Sequence, residues 1–309
     1  VIVRAEDLSI EVSWRLPLTY VVGGTFDIRE GGHLDVAAGS SLHVASNEGL
    51  FVRGGRLTMR GTQAEPISLL GPEGVRDAGS WSGVFLFDSM AENVLERVLI
   101  AGAGNPSGFR APNVALHIRD AAATLGAIRI ENTLSEGFRL EDAKLTFTDQ
   151  LDARGAPLDL LATPASLEGL SSRLETDGPI YVLGGEVVGE VTWSPEHEYE
   201  VVGEVQVLPT GVLTLSPGVT LRFRGGLGLR VDEGTLVASG TATEPIVFTA
   251  TSGAPGGWLG IYYRRSLAAA NVLEHAVVEF GGGDAWYFPA AAANLLLDGN
   301  SRLTLKDVT

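Results

Sequence analysis

The stretch most suited to chemistry is Gly281–Pro289, GGGDAWYFP, where three glycines lead into Asp284, Trp286, Tyr287 and Phe288. A carboxylate beside three rings is the kind of set that stacks on a sugar ring or anchors a protein partner. The competing reading is an aromatic lid that only packs. Cation binding would need converging carboxylates, and the closest groups are Glu141/Asp142 and Asp298/Asn300. Both read as solvated turns, and no calcium motif supports Ca²⁺, because Gly281-Gly282-Gly283-Asp284 occurs once and without a periodic Gly/Asp series. The five histidines, His33, His43, His117, His197 and His275, show no metal-ligand spacing. Cysteine is absent, which removes disulfides, thiolate metal sites and a Cys nucleophile.

The elements that would position such residues are governed by a duplication. Gly55–Ile67, GRLTMRGTQAEPI, returns as Gly234–Ile246, GTLVASGTATEPI, an offset of 179 residues. The same offset carries Val3 to Val182, Trp14 to Trp193, Tyr20 to Tyr199, Leu42 to Leu221 and Val52 to Val231. Duplication means that one structural solution is used twice. Trp81 and Trp258 also correspond, and persistence of a tryptophan in both copies favours packing over a site present once. In the duplicate, His33 meets Val212, His43 meets Arg222 and His275 meets Arg97, as at exposed, interchangeable positions.

Pairs of apolar residues with one residue between them, such as Phe26/Ile28, Leu34/Val36, Leu42/Val44, Leu50/Val52 and Leu57/Met59, recur with glycine-rich bends between. This is the period-2 strand signature. Two all-β folds fit: antiparallel β-sandwich domains, or a parallel β-helix of about three short strands per coil. No Asn-Gly or Asp-Gly hairpin turn joins the early units, which favours the parallel solenoid. The copies differ in length at Gly71–Ser80 against Thr251–Gly257, where a coil would project a loop. The expected division is a first unit over 1–149, a connecting segment over 150–178 and a second, incomplete unit over 180–309 within one continuous solenoid. In the connector, Thr163-Pro164 followed by Leu167, Leu170 and Leu174 predicts a short helix with a Pro at its first turn.

Forty glycines, 45% hydrophobic residues and 19% charged residues describe a folded chain. The net charge of −16 argues against nucleic acid or anionic lipid as a partner. Apolar runs are too short to span a bilayer. The first residue is not Met and Leu303–Thr309 lies inside a strand pattern, which points to a processed form or a piece of something longer.

One run of motifs carries a resemblance. GTxxxPI, WxG, Ser and NxLE stand at Gly61/Thr62/Pro66/Ile67, Trp81/Gly83, Ser89 and Asn93/Leu95/Glu96. They return at Gly240/Thr241/Pro245/Ile246, Trp258/Gly260, Ser266 and Asn271/Leu273/Glu274. With Thr192/Trp193/Tyr199/Leu213/Pro217/Gly218, this series resembles large bacterial secreted or surface proteins of the right-handed parallel β-helix, pectin-lyase-like class. The resemblance implies that fold and an extracellular or cell-surface location, and it brings no catalytic residue. That class includes pectinolytic enzymes, whose sites need paired Asp with a His, or several carboxylates on Ca²⁺ with an Arg or Lys base. Asp-Asp and Gly-His-Gly are absent here and the acidic residues are scattered. The expectation is therefore a non-enzymatic, adhesin-like structural module. The alternatives are a polysaccharide-binding or polysaccharide-degrading protein, and a filament subunit joined head to tail through open coil ends. The expected partners are a polysaccharide, another surface protein, a second copy or further domains of the parent chain.

Overall fold

In the computed structural model, residues 1–4, 7–105, 112–283 and 292–309 are described. Two compact units emerge, one of Val1–Leu161 with Arg173–Gly178, the other of Ala162–Ser172 with Pro179–Thr309.

In the first unit the chain passes through three sheets in strict rotation. The first sheet takes Thr19–Val22, Ser41–Val44, Ile67–Leu70, Val98–Ala101 and Ile128–Glu131. The second takes Phe26–Arg29, Gly49–Arg53, Gly83–Phe87, Val114–Arg119 and Glu136–Glu141. The third takes His33–Val36, Arg56–Arg60, Asn93–Glu96, Ala122–Gly126 and Lys144–Phe147. Every pairing between these strands is parallel, so the antiparallel sandwich does not hold. The reason lies in the connections. Each strand is followed by a corner into the next sheet instead of a hairpin back, so its hydrogen-bond partners must come from the preceding and following rungs.

Alternation then sorts the side chains. Ile28, Val52, Leu86, Ile118 and Leu140 fall in register across five rungs, each with 0% exposure, and make one interior ladder. Leu42, Leu69, Ile100 and Ile130 make another. Each such side chain contributes about 1.5–3 kcal/mol by leaving water. The result is an all-β, solenoid-like stack of parallel sheets, and each apolar pair read from the sequence sits in a strand.

The second unit repeats the rotation. Tyr199–Val201, Thr220–Phe223 and Ile246–Ala250 pair in turn, as do Val205–Val207, Gly228–Asp232, Gly260–Arg264 and Leu295–Asp298. Glu190–Trp193, Val212–Leu215 and Thr235–Ser239 make the remaining series. Val272–Val278 turns a corner without breaking: Val272–Glu274 pairs with one series and Ala276–Val278 with another. The bend falls at His275, whose φ is 45°, and the matching corner in the first unit is Arg97, with φ 53°.

The expected helix at 163–174 is instead two 3₁₀ turns, Pro164–Leu167 and Ser171–Arg173. Gly169, at φ 68°, breaks the run between them. Leu167, Leu170 and Leu174 are nonetheless buried, so the apolar pattern marks the interior face while the backbone period is that of 3₁₀ turns.

No helix among the described residues is long and apolar enough to cross a membrane.

Candidate functional site

The residues of the motifs shared by the two copies are the first candidates, and they serve contacts between and within rungs. Asn93 is fully buried: its Oδ1 accepts from Leu57 N at 2.9 Å, and its Nδ2 donates to Ser89 Oγ at 3.0 Å and Ala122 O at 3.0 Å. Ser89 in turn donates to Gly55 O at 2.5 Å. Asn271 does the same with Leu236 N, Ser266 Oγ and Arg302 O. A buried amide with its bonds satisfied specifies register as well as stability. Trp81 Nε1 donates to Ala101 O at 2.8 Å and Trp258 Nε1 to Glu279 O at 2.7 Å. Trp14 stacks on Tyr20 and Trp193 on Tyr199, with centroids 4.4 and 5.2 Å apart. In GTxxEPI, Thr62 Oγ1 accepts from Glu65 N, and Thr241 Oγ1 from Glu244 N, both at 3.0 Å. A Cβ on Gly61 would lie 2.5 Å from Arg97 O, and one on Gly240 2.6 Å from His275 O, which explains the glycine.

What the copies do not share lies on the outer side of the second sheet. There Asp27, Phe51, Phe85, His117 and Arg139 form one ladder, and Arg29, Arg53, Phe87, Arg119 and Glu141 the next. Asp27 Oδ2 accepts from Arg53 at 2.9 Å and forms an ion pair with Arg29 at 2.7 Å, while its Oδ1 is buried without a hydrogen-bond partner. Burial pushes the Asp27 carboxyl up, and Arg53 and Arg29 hold part of that rise back. Phe51 and Phe85 stack at 4.6 Å and 10°, with the Arg53 guanidinium 4.7 Å from the Phe51 centroid. Arg119 covers Phe87 at 4.4 Å, and His117 meets the Phe87 ring at 4.8 Å and 85°. Arg139 bridges Glu136 and Glu141. Glu141 is held down to about 2, first by the His117 imidazole and, beyond the opposing cost of burial, by Arg139. The His117 Nε2 to Glu141 Oε2 distance of 3.4 Å makes this a long polar contact and not a well-formed hydrogen bond. Glu136 moves the other way, raised by burial against the pull of Arg139.

In the second unit the strands equivalent by sequence offset hold Gln206, Arg230 and Tyr262 in register, beside Asp232, Arg264 and Asp298. Arg264 bonds Asp232 at 2.9 Å and Tyr262 donates to Asp298 at 2.9 Å.

Asp284, Trp286, Tyr287 and Phe288 lie outside the described residues, as do their counterparts Phe109 and Arg110. The carboxylate pairs do not converge as cation sites: Glu141 is engaged by Arg139, and Asp298 by Tyr262 and by Gly299 N at 2.6 Å. No group of three His, Asp or Glu among the described residues could hold a metal. The histidines are less exposed than interchangeable positions would be. His33 Nε2 is 2.9 Å from Thr58 Oγ1, burial lowers the His43 pKa, and His117 is 2% exposed.

Sequence reasoning missed the outer ladder because its members are unevenly spaced along the chain. The rungs differ in length, so only strand register brings Asp27 to Phe51 and Phe85 to His117.

A surface concavity also recurs. In the first unit a groove of about 540 Å³ lies between the Thr62–Pro66 arc and the corner residues Arg97 and Ala127. The second unit places one of about 450 Å³ against Thr241, Pro245, His275 and Asp307.

Neither a family model nor a solved structure matches the chain. A stretch of 68 residues is 40% identical to part of "Protein bark beetle" of Drosophila melanogaster. That stretch covers 22% of this chain and 2% of the fly protein's length.

Proposed function

We propose that the chain is a non-enzymatic structural module of a secreted or cell-surface protein, a right-handed parallel β-helix built by duplicating a 179-residue unit. The observation that carries this reading is the use made of the shared motif. Asn93, Ser89, Trp81, Gly61 and Thr62, with their partners in the second copy, are all spent on backbone contacts between and within rungs. A sequence kept through duplication for the sake of its stacking is that of a stiff spacer or adhesin-like stalk, and acidity keeps so long a surface soluble. The proposal concerns the module and leaves its host open, since the expected kinship is bacterial and the similarity found is to an insect protein.

Polysaccharide binding is the second reading, favoured by the gathering of Asp27, Arg29, Arg53, Arg119, Glu136, Arg139 and Glu141 on one face. Against it, the charges are paired with one another, and the ring faces of Phe51 and Phe85 are turned to each other. A sugar needs a free ring face.

The test is binding and turnover on a panel of acidic and neutral polysaccharides, with and without Ca²⁺, comparing the intact chain with Trp286→Ala. Silence across the panel is expected. Turnover, or binding abolished by the substitution, would overturn the structural reading and locate a site at Gly281–Pro289. Light scattering against concentration tests head-to-tail assembly, which a chain monomeric at every concentration would refute.

A further inference from the structure

The groove of the first unit differs from its surroundings in charge. On a chain of net charge −16 it brings together Arg76, Arg97 and Arg129 against the single lining carboxylate of Glu131. Glu131 is shared, at 3.2 Å from Arg76 and 3.0 Å from Arg129. Arg97 pairs with Asp149, at 3.4 Å. Asp152, beside Arg129 in the next rung, is held by Arg154 at 2.8 and 2.9 Å. Two carboxylates, Glu131 and Asp149, lie within ion-pair distance of the three guanidiniums, with Asp152 adding a longer-range attraction to Arg129, and the three arginine side chains stay 43–65% exposed. In the second unit the equivalent positions carry His275, Asp307 and Thr309 in place of Arg97, Ala127 and Arg129. The concavity therefore belongs to the fold, whereas the positive lining belongs to this copy.

We infer that this groove is a docking site for an acidic, aliphatic peptide segment of a partner protein. Arginine forks pair with carboxylates bidentately, which accounts for the acidic component. The aliphatic component follows from the floor, where Pro66, Val98, Leu99 and Ala127 lie between the arginines. The lining holds no aromatic ring, so it offers a peptide side chain a seat and a sugar ring no platform. Leu99 and Arg129 are in register on adjacent rungs, about 4.8 Å apart. An extended peptide with Leu and Asp or Glu two positions apart presents an apolar and an acidic group on one face, about 6.6 Å from each other. The inference is independent of the structural-module reading, and a module of either kind accommodates it.

The experiment is fluorescence anisotropy of a fluorescein-labelled pentapeptide with Asp, Leu and Glu at its first, third and fifth positions and Gly between them, titrated with the intact chain. Arg97→Asn and Arg129→Gln are each expected to weaken binding about tenfold, the loss of one charge-assisted contact. Asn is at home at the left-handed backbone of residue 97, and Arg129 is an exposed side chain, so both variants keep the fold, which melting curves check. His275→Asn in the other copy should leave binding unchanged, and the Asn/Gln version of the peptide should not bind. Saturation not reached by about 1 mM, affinity in both arginine variants equal to that of the unsubstituted chain, or stronger competition from polygalacturonate or a sulfated glycan would each overturn the inference.

Discussion

Tyr263 places a hydroxyl where nothing receives it. The side chain has 0% exposure, and its oxygen has no hydrogen-bond partner. It points inward on the rung where the first copy has Leu86, between Val231 and Leu297 in register. Burial pushes its pKa upward, so the phenol stays neutral and only its desolvation matters. Leaving a buried hydroxyl unpaired costs about 1–3 kcal/mol. Tyr263→Phe removes that cost and opens a void smaller than a methyl group, so a net gain of about 1 kcal/mol is expected. For a unit of about 140 residues this is a rise of roughly 2–4 °C in Tm. Adjacent Tyr262 is the control: its hydroxyl donates to Asp298 at 2.9 Å, so Tyr262→Phe should lower stability by about 0.5–1.5 kcal/mol. Urea unfolding followed by far-UV circular dichroism reads both variants. Loss of stability in Tyr263→Phe would refute the reasoning and show that the hydroxyl is bonded, for example to a buried water.

Asn93→Ala should cost about 3 kcal/mol or more, because it strands the Leu57 N–H and the Ala122 carbonyl in the interior, and Asn271→Ala should match it; denaturant midpoints of the two variants check this. Gly61→Ala should be comparably damaging, since its Cβ meets the rigid Arg97 carbonyl at 2.5 Å, and expression with thermal melting reads the outcome. Glu141 is depressed to about 2 in the folded chain, so the stability it contributes is complete above pH ~4.5 and drains away as pH falls toward 2. Glu136 is raised, so its penalty applies above its shifted pKa and is relieved on acidification. Unfolding measured between pH 6 and 2 should therefore lose a component of its acid slope in Glu141→Gln, and an unchanged slope would show that the His117 and Arg139 contacts do not hold the carboxylate.

The strands were legible because an apolar pair with one intervening residue has a single reading once one of its faces is interior. Phe26/Ile28 and Leu42/Val44 fall in strands accordingly. The 163–174 segment misled because Thr-Pro and spaced leucines serve a 3₁₀ turn as well as a helix, and Gly169 decided between them. The repeated Asn, Ser and Trp were visible as pattern but not as purpose. Nothing local in Asn93 tells that its amide reaches Leu57 and Ala122, residues distant in sequence that only stacking brings near. The outer ladder and the arginine groove were illegible for the same reason. Arg76 comes from a loop whose length differs between copies, and Arg129 from a rung further on. Asp284, Trp286, Tyr287 and Phe288 were the legible candidates because they are contiguous, and contiguity is the one kind of proximity that a sequence displays.

The Asn93 amide touches the rung before it through Leu57 and the rung after it through Ala122, and Asn271 does so through Leu236 and Arg302. Most other contacts in the stack join only two neighbouring rungs, so a chain pulled from one end should peel one rung at a time. A released rung of roughly thirty residues adds about 100 Å of extended chain. At these two residues releasing the outer rung breaks a side-chain bond to Ala122 or Arg302 in addition to the strand pairing and leaves a buried amide half satisfied, which makes each a rivet. Under force the protein should yield in short steps, halt at Asn271 or Asn93, and give way there only at a higher load.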